Sequence, residues 1–180
     1  EIESGAMRCS LCGREYPIAG GVPRFAGEAA MASGLRRTRR SFGWEWDRYP
    51  GSLDEDRGIF LEETQIPEQD WSGRLGLDAG CGMGRYTQIA LALGARMVAF
   101  DLSDALLRLI PIALETPHLH IVQGDLFHPP FKKGVFDIVY SQGVLHHTPD
   151  TEIAFRKIAP LVKDSGDLSV WVYGTPGSYG

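Results

Sequence analysis

Three carboxylates and a glycine turn stand at regular intervals in the middle of this chain. Asp78 precedes Gly80-Cys81-Gly82-Met83-Gly84, Asp101 closes one apolar run and Asp125 follows another. A carboxylate accepts from both hydroxyls of a ribose diol in a charge-assisted pair, which suits Asp101. Glycines spaced as Gly80-x-Gly82-x-Gly84 let a ligand press against main-chain N–H groups. That spacing is one residue short of the Gly-x-Gly-x-x-Gly dinucleotide fingerprint. A pyrophosphate also needs the following helix N-terminus to itself, and Asp78 adds negative charge there. The turn therefore suits a cationic ligand better.

These residues must be positioned by something, and the surrounding pattern says what. Apolar runs predict strands at 75–79, 96–100, 118–123, 135–140 and 167–173. Helical patterns fall between them at 85–93, at 103–114 and at 150–162. Ser103 is the expected N-cap of the second, and Pro111 should kink or shorten it. Five strands alternating with helices predict a doubly wound, Rossmann-like α/β sheet of parallel strands with right-handed crossovers. Ligands in such sheets bind at the carboxyl ends of the strands. Those ends carry Asp78, Asp101, Asp125 and Ser141-Gln142-Gly143.

A length of 180 residues accommodates one full domain and a small one, here residues 71–180 preceded by two further segments. A formal charge of −5 argues against nucleic acid as a general partner. The sequence shows no membrane-length apolar run and no signal peptide, and an odd set of three cysteines fits a reducing compartment, so the expected location is cytoplasmic. A first residue of Glu suggests a processed chain or a fragment.

Residues 1–26 contain Cys9-Ser10-Leu11-Cys12-Gly13, a zinc-knuckle shape in which a tight turn brings two thiolates toward one metal. A structural zinc needs four ligands, and the nearest histidine is His118. The pair reads as half of a ribbon, as a redox pair or as two inert thiols. Residues 27–70 open as a helix at Glu28, pass through the basic cluster Arg36-Arg37-Thr38-Arg39-Arg40, and reach Phe42-Gly43-Trp44-Glu45-Trp46-Asp47-Arg48-Tyr49. The basic cluster is a solvated surface or a patch for an anion. The aromatics are core, or a lid that excludes water from a reactive centre. A helix at 54–65 ends before Pro67.

Leu77-Asp78-Ala79-Gly80-Cys81-Gly82-Met83-Gly84, with Asp101-Leu102-Ser103, Gly124-Asp125 and Ser141-Gln142-Gly143-Val144-Leu145-His146-His147, resembles the class I S-adenosylmethionine-dependent methyltransferases of the type 11-like group. The resemblance covers roughly residues 74–173. It implies that the Gly80–Gly84 turn, with Ala79 and Cys81, cradles the methionine part of S-adenosylmethionine, and that Asp78 orders its ammonium. It implies that Asp101 holds the ribose and Leu102 packs on the adenine. Asp125 would accept from the adenine amino group beside Gly124 and Leu126, and Ser141 and Gln142 would lie near the sulfonium. Cys81 reads as packing in the turn.

The reaction so implied is in-line attack by an acceptor atom on an activated methyl group, with alignment and desolvation doing most of the work. A base is needed only where the acceptor must lose a proton. His146 is the first candidate, with His147 and Tyr173 behind it, and the alternative is that the two histidines only shape the turn after the fourth strand. The residues before Phe25 resemble the zinc-ribbon-like leader found ahead of some bacterial methyltransferases, which implies zinc at Cys9 and Cys12.

The family sheet ends with two more strands, and the chain stops after the fifth. An exposed strand edge is then expected, through which the chain could associate. Two other functions share these residues: methyl transfer to RNA or protein in place of a small molecule, and a cofactor-binding or interaction module without catalysis.

Overall fold

The computed structural model describes residues 3–25 and 53–174. The expected helix at Glu28, the Arg36–Arg40 cluster and the aromatics from Phe42 to Tyr49 lie outside them. The leader is a small antiparallel sheet of β1 (Ser4–Arg8), β2 (Glu15–Ala19) and β3 (Val22–Pro23). Cys9 and Cys12 sit in the turn between β1 and β2.

The first helix, α1 (Leu53–Thr64), is followed by the central unit. That unit contains β4 (Leu75–Ala79), α2 (Arg85–Ala92), β5 (Arg96–Asp101), α3 (Ile110–Glu115), β6 (Leu119–Gln123), β7 (Phe136–Gln142), α4 (Thr151–Ile158) and β8 (Val162–Trp171). The five strands form one sheet in the order β6-β5-β4-β7-β8, every pairing parallel. The chain therefore steps outward from β4 to β6 and then crosses back to β7. Strand order reverses between β4 and β7, and that reversal opens a crevice above the carboxyl ends.

Both faces of the sheet are covered, which is why the inner strands are apolar at successive positions. Met97 and Ala99 of β5 join Phe60, Trp71, Ile89, Leu109, Ile138 and Tyr140 in one core. Val98 and Phe100 join Leu77, Phe136, Val139, Ala154 and Ile158 in the other. Side chains alternate along each strand, so neighbours in sequence serve opposite cores. Under β4, Phe60 of α1 packs edge-on against Tyr140 at 5.2 Å and tilted against Trp71 at 4.9 Å.

Some expected boundaries move. The helix expected over 103–114 is a 3-10 turn at Asp104–Leu109 followed by the short α3. Pro111 occupies the first turn of α3, where its missing N–H costs nothing. Ser103 makes no side-chain cap. The helix expected to reach 162 stops at Ile158 and gives way to the 3-10 turn Ala159–Leu161. β8 begins at Val162 rather than 167, and β7 extends to Gln142.

The leader is seated on the sheet. Beyond β3, Arg24 bridges Gln123 in parallel fashion, and the Phe25 N–H donates to the Gln123 carbonyl at 2.7 Å. The rings of Tyr16 and Phe25 pack at 4.8 Å behind that contact. On the other side, β8 ends the described sheet.

Candidate functional site

The carboxyl ends of β4, β5 and β7 and the loop after β6 enclose a cleft of about 190 Å³. One water needs only about 10–15 Å³ of such space, so the cleft suits a ligand of many atoms. Asp78, Asp101 and Asp125 all line it.

Asp78 is nearly inaccessible, at 4% exposure. Its Oδ2 accepts from the Thr87 hydroxyl at 2.6 Å and the Tyr140 hydroxyl at 3.1 Å. Tyr140 is the register partner of Asp78 across the β4–β7 pairing, so both side chains lie on one face. Thr87 comes from the first turn of α2, directly beyond the glycine loop. Burial raises the Asp78 carboxyl to about 7, the two hydroxyl donors oppose that rise, and the charge of Asp101 adds to it. A cation entering the cleft would relieve the penalty on the carboxylate.

The glycine turn divides its labour. A Cβ on Gly80 would come within 2.4 Å of Val144, and one on Gly84 within 2.3 Å of Leu109. Those two glycines allow close internal packing. A Cβ on Gly82 would meet no protein atom within 4 Å, so that glycine keeps space open for a ligand. Cys81 also lines the cleft, but its thiol is pushed well up, first by burial and then by Asp101 and Asp78. It is a packed thiol and not a nucleophile.

Asp101 ties the turn to the next strand end. Its Oδ2 accepts from the Gly82 N–H at 2.9 Å and its Oδ1 from the Ser103 N–H at 2.7 Å. A carboxylate has further lone pairs, so both oxygens retain capacity toward a diol. Leu102 and Leu126 flank the cleft beside Asp101 and Asp125. Asp125 is fixed by the Phe127 N–H, which donates to Oδ1 at 2.9 Å.

The opposite end is formed by Gln142, Gly143, Val144, His147, Thr148 and Pro149. Gln142 Nε2 donates to Ser169 Oγ at 2.9 Å, and that hydroxyl in turn lies 3.4 Å from the Glu63 carbonyl it donates to. His147, not His146, lines the cleft. The His146 ring packs at 3.9 Å from His147 and 4.4 Å from Tyr173. Burial, with His147 beside it, lowers its basicity.

Of the residues expected at the site, Asp78, Gly80, Cys81, Gly82, Asp101, Leu102, Asp125, Leu126 and Gln142 line the cleft. Ala79, Gly84, Gly124 and Ser141 stand behind that lining, where Ser141 Oγ donates to the Ala79 carbonyl at 2.7 Å and locks β7 to β4. The pattern did not point to Thr87 and Tyr140, whose roles arise from packing. Arg85 also lines the cleft and is paired with the buried Asp56 of α1.

Cys9 and Cys12 are free thiols and do not line this cleft. The N–H groups of Cys12 and Leu11 and the Cys12 side chain hold the Cys9 thiol below its usual range. Among the described residues no group of three or more His, Cys, Asp or Glu could hold a metal ion. The expected zinc site is thus incomplete there, since two thiolates do not make a structural zinc site.

A family model described as a methyltransferase domain matches residues 77–170. Phosphoethanolamine N-methyltransferase 2 of Caenorhabditis elegans is 32% identical over 132 residues, covering 69% of this chain and 29% of that protein. A ubiquinone biosynthesis O-methyltransferase of Albidiferax ferrireducens is 35% identical over 109 residues, covering 57% of this chain and 40% of its own. The chain therefore spans less than half the length of these two relatives. Among solved structures, an S-adenosylmethionine dependent methyltransferase from Mesorhizobium loti superposes with a TM-score of 0.56 at 26% identity, covering 66% of this chain and 55% of that one.

Proposed function

The chain belongs to the methyltransferase-domain family of class I S-adenosylmethionine-dependent methyltransferases, and from that premise we propose that it binds S-adenosylmethionine in the cleft and transfers the methyl group to a small molecule. The observation that carries the binding reading is the pairing of the open Gly82 with three cleft-lining carboxylates. Open backbone at Gly82 admits a ligand closely. Asp101 and Asp125 offer acceptors to hydroxyl and amino groups, and the desolvated Asp78 gains from a positive charge nearby.

S-adenosylmethionine supplies an electrophilic methyl group when bound. The chain's own residues align and shield. Leu102, Leu126, Phe127 and Val144 give the cleft apolar walls that exclude water. Gln142 is held by Ser169 at the end facing β8. His147 is the imidazole in the lining, and it is the group placed to take a proton from an acceptor that must lose one.

A small-molecule acceptor draws on the names of those two relatives, and a tRNA U34 carboxymethyltransferase among the matches is why RNA is the alternative to test. The net charge of −5 argues toward the small molecule, with the Arg36–Arg40 cluster as the feature that would favour RNA instead. Three free cysteines suit a reducing cytoplasmic setting. No helix among the described residues is long and apolar enough to cross a membrane.

Calorimetry with S-adenosylmethionine and with NAD tests the first claim, and no heat with S-adenosylmethionine would overturn it. Asp101→Ala should weaken S-adenosylmethionine binding about tenfold or more, since charge-assisted hydrogen bonds contribute roughly 1.5–3 kcal/mol. Labelled methyl transfer to a metabolite panel against total RNA tests the second claim. Label in RNA alone would reassign the acceptor.

A further inference from the structure

We propose that Arg24 of the leader is a positioning residue for the cleft, acting through Gln123 on the loop that carries Asp101 and Leu102. Residues 3–25 are then a working part of the ligand site and not an independent appendage.

Gln123 is the last residue of β6 and is fully buried. Its amide nitrogen donates twice, to the Leu102 carbonyl at 3.1 Å and to Asp104 Oδ1 at 2.9 Å. Both partners are acceptors only, so the amide cannot be reversed without placing oxygen against oxygen. Its Oε1 must therefore face the other way, and a donor must meet it there. Arg24 supplies that donor, with Nη1 at 2.7 Å from Oε1. The same Nη1 lies 3.9 Å from Asp104 Oδ1, which closes a triangle of guanidinium, amide and carboxylate.

The triangle has a fixed base on each side. Arg24 is held in the leader by its own N–H, which donates to the Pro17 carbonyl at 2.9 Å, and it is held to the sheet by the Phe25 N–H on the Gln123 carbonyl. On the cleft side, Leu102 and Asp104 bracket Ser103, whose N–H holds Asp101 Oδ1. Gly124, next to Gln123, donates its N–H to the Asp101 carbonyl at 2.9 Å. Residues Asp101, Leu102, Ser103 and Ala105 all line the cleft. An unmet Oε1 in this buried position would turn the amide and release the loop at Leu102 and Asp104.

The affinity part of this inference rests on the S-adenosylmethionine reading, and the loop part does not. Arg24→Met keeps the aliphatic stem and removes the donor, and Arg24→Lys restores a cation that can donate. Arg14→Met at the exposed turn of the leader is the control. Two measurements are made on the whole chain: S-adenosylmethionine affinity by calorimetry, and amide hydrogen exchange of the ligand-free protein. Arg24→Met should weaken binding about tenfold, the weight of one charge-assisted hydrogen bond, and should speed exchange selectively around 102–105. Arg24→Lys should recover part of both, and Arg14→Met should change neither.

Equal affinity in Arg24→Met, or exchange that rises evenly over the whole chain, would overturn the proposal. If the unaltered chain binds no S-adenosylmethionine, the functional reading fails by itself. The exchange pattern then decides, and unchanged exchange around 102–105 would overturn the role of Arg24.

Discussion

Tyr140 and Asp78 lie side by side on neighbouring strands, and the tyrosine hydroxyl donates to the aspartate Oδ2 at 3.1 Å in the floor of the cleft. That contact sits at the centre of the pH behaviour expected of this protein. The free carboxyl is raised to about 7, and a cationic ligand favours its charged form. S-adenosylmethionine affinity should thus rise as pH increases through about 7, with proton release on binding near pH 6. Calorimetry at pH 6 in two buffers of different ionisation heat reads that proton directly, and identical heats would contradict the account. Tyr140→Phe removes one donor that lowers the carboxyl, so the midpoint should move upward.

The same shift has a consequence for stability. Folded Asp78 holds its proton to a higher pH than the unfolded residue, whose ordinary value is 3.8. Between about 4 and 7 the native state binds more protons, so stability falls as pH rises across that window, and the loss remains at higher pH. Asp78→Asn should therefore raise the melting temperature at pH 8, leave it nearly unchanged at pH 4, and weaken cofactor binding. A lower melting temperature at pH 8 would count against a desolvated carboxylate.

The three glycines should respond differently to alanine. At Gly82 the methyl enters open space, and the left-handed backbone (φ +54°) costs about 1–2 kcal/mol. Gly82→Ala should fold with a modest loss and bind S-adenosylmethionine poorly. At Gly84 the methyl strikes Leu109, and at Gly80 it strikes Val144, so those variants should lose more stability. Denaturant titration beside binding separates the two effects, and equal stability losses at all three sites would refute the division.

His146 and His147 are adjacent but face different surroundings. For an acceptor that must lose a proton, His147→Ala should slow methyl transfer by about a hundredfold or more, in the range typical of general-base loss. His146→Ala should leave the rate and instead loosen the packing with Tyr173. Single-turnover rates for the two variants test this, and a rate loss confined to His146→Ala would return the role to that residue.

The central sheet and the three carboxylates were legible because each signal is local. An apolar run, a glycine turn and an acid at the strand end lie within a few residues of one another, and strand and helix periods differ. The resemblance places Ser141 and Ala79 in the site beside Gln142 and Gly80, yet side chains alternate along a strand and these two stand behind the lining. The start of β8 is silent in the sequence because Lys163, Asp164 and Ser165 are exposed and carry no apolar signal. β1 is exposed along its whole length for the same reason. Thr87, Tyr140 and the Arg24–Gln123 contact depend on register and crossover. Tyr140 is 62 positions from Asp78, and Gln123 is 99 positions from Arg24.

That last separation also orders events in time. Arg24 emerges from the ribosome well before Gln123, yet its seat exists only once β6 has joined the sheet. Contacts so distant along the chain carry a larger loop-closure cost, so this one is expected to close after the nearer strand pairings. The segment around Arg24 is thus made before the strand that seats it. Arg24 substitutions should accordingly accelerate unfolding while leaving the refolding rate nearly untouched. During synthesis, the hairpin carrying Cys9 and Cys12 has no seat on β6 before that strand has been made.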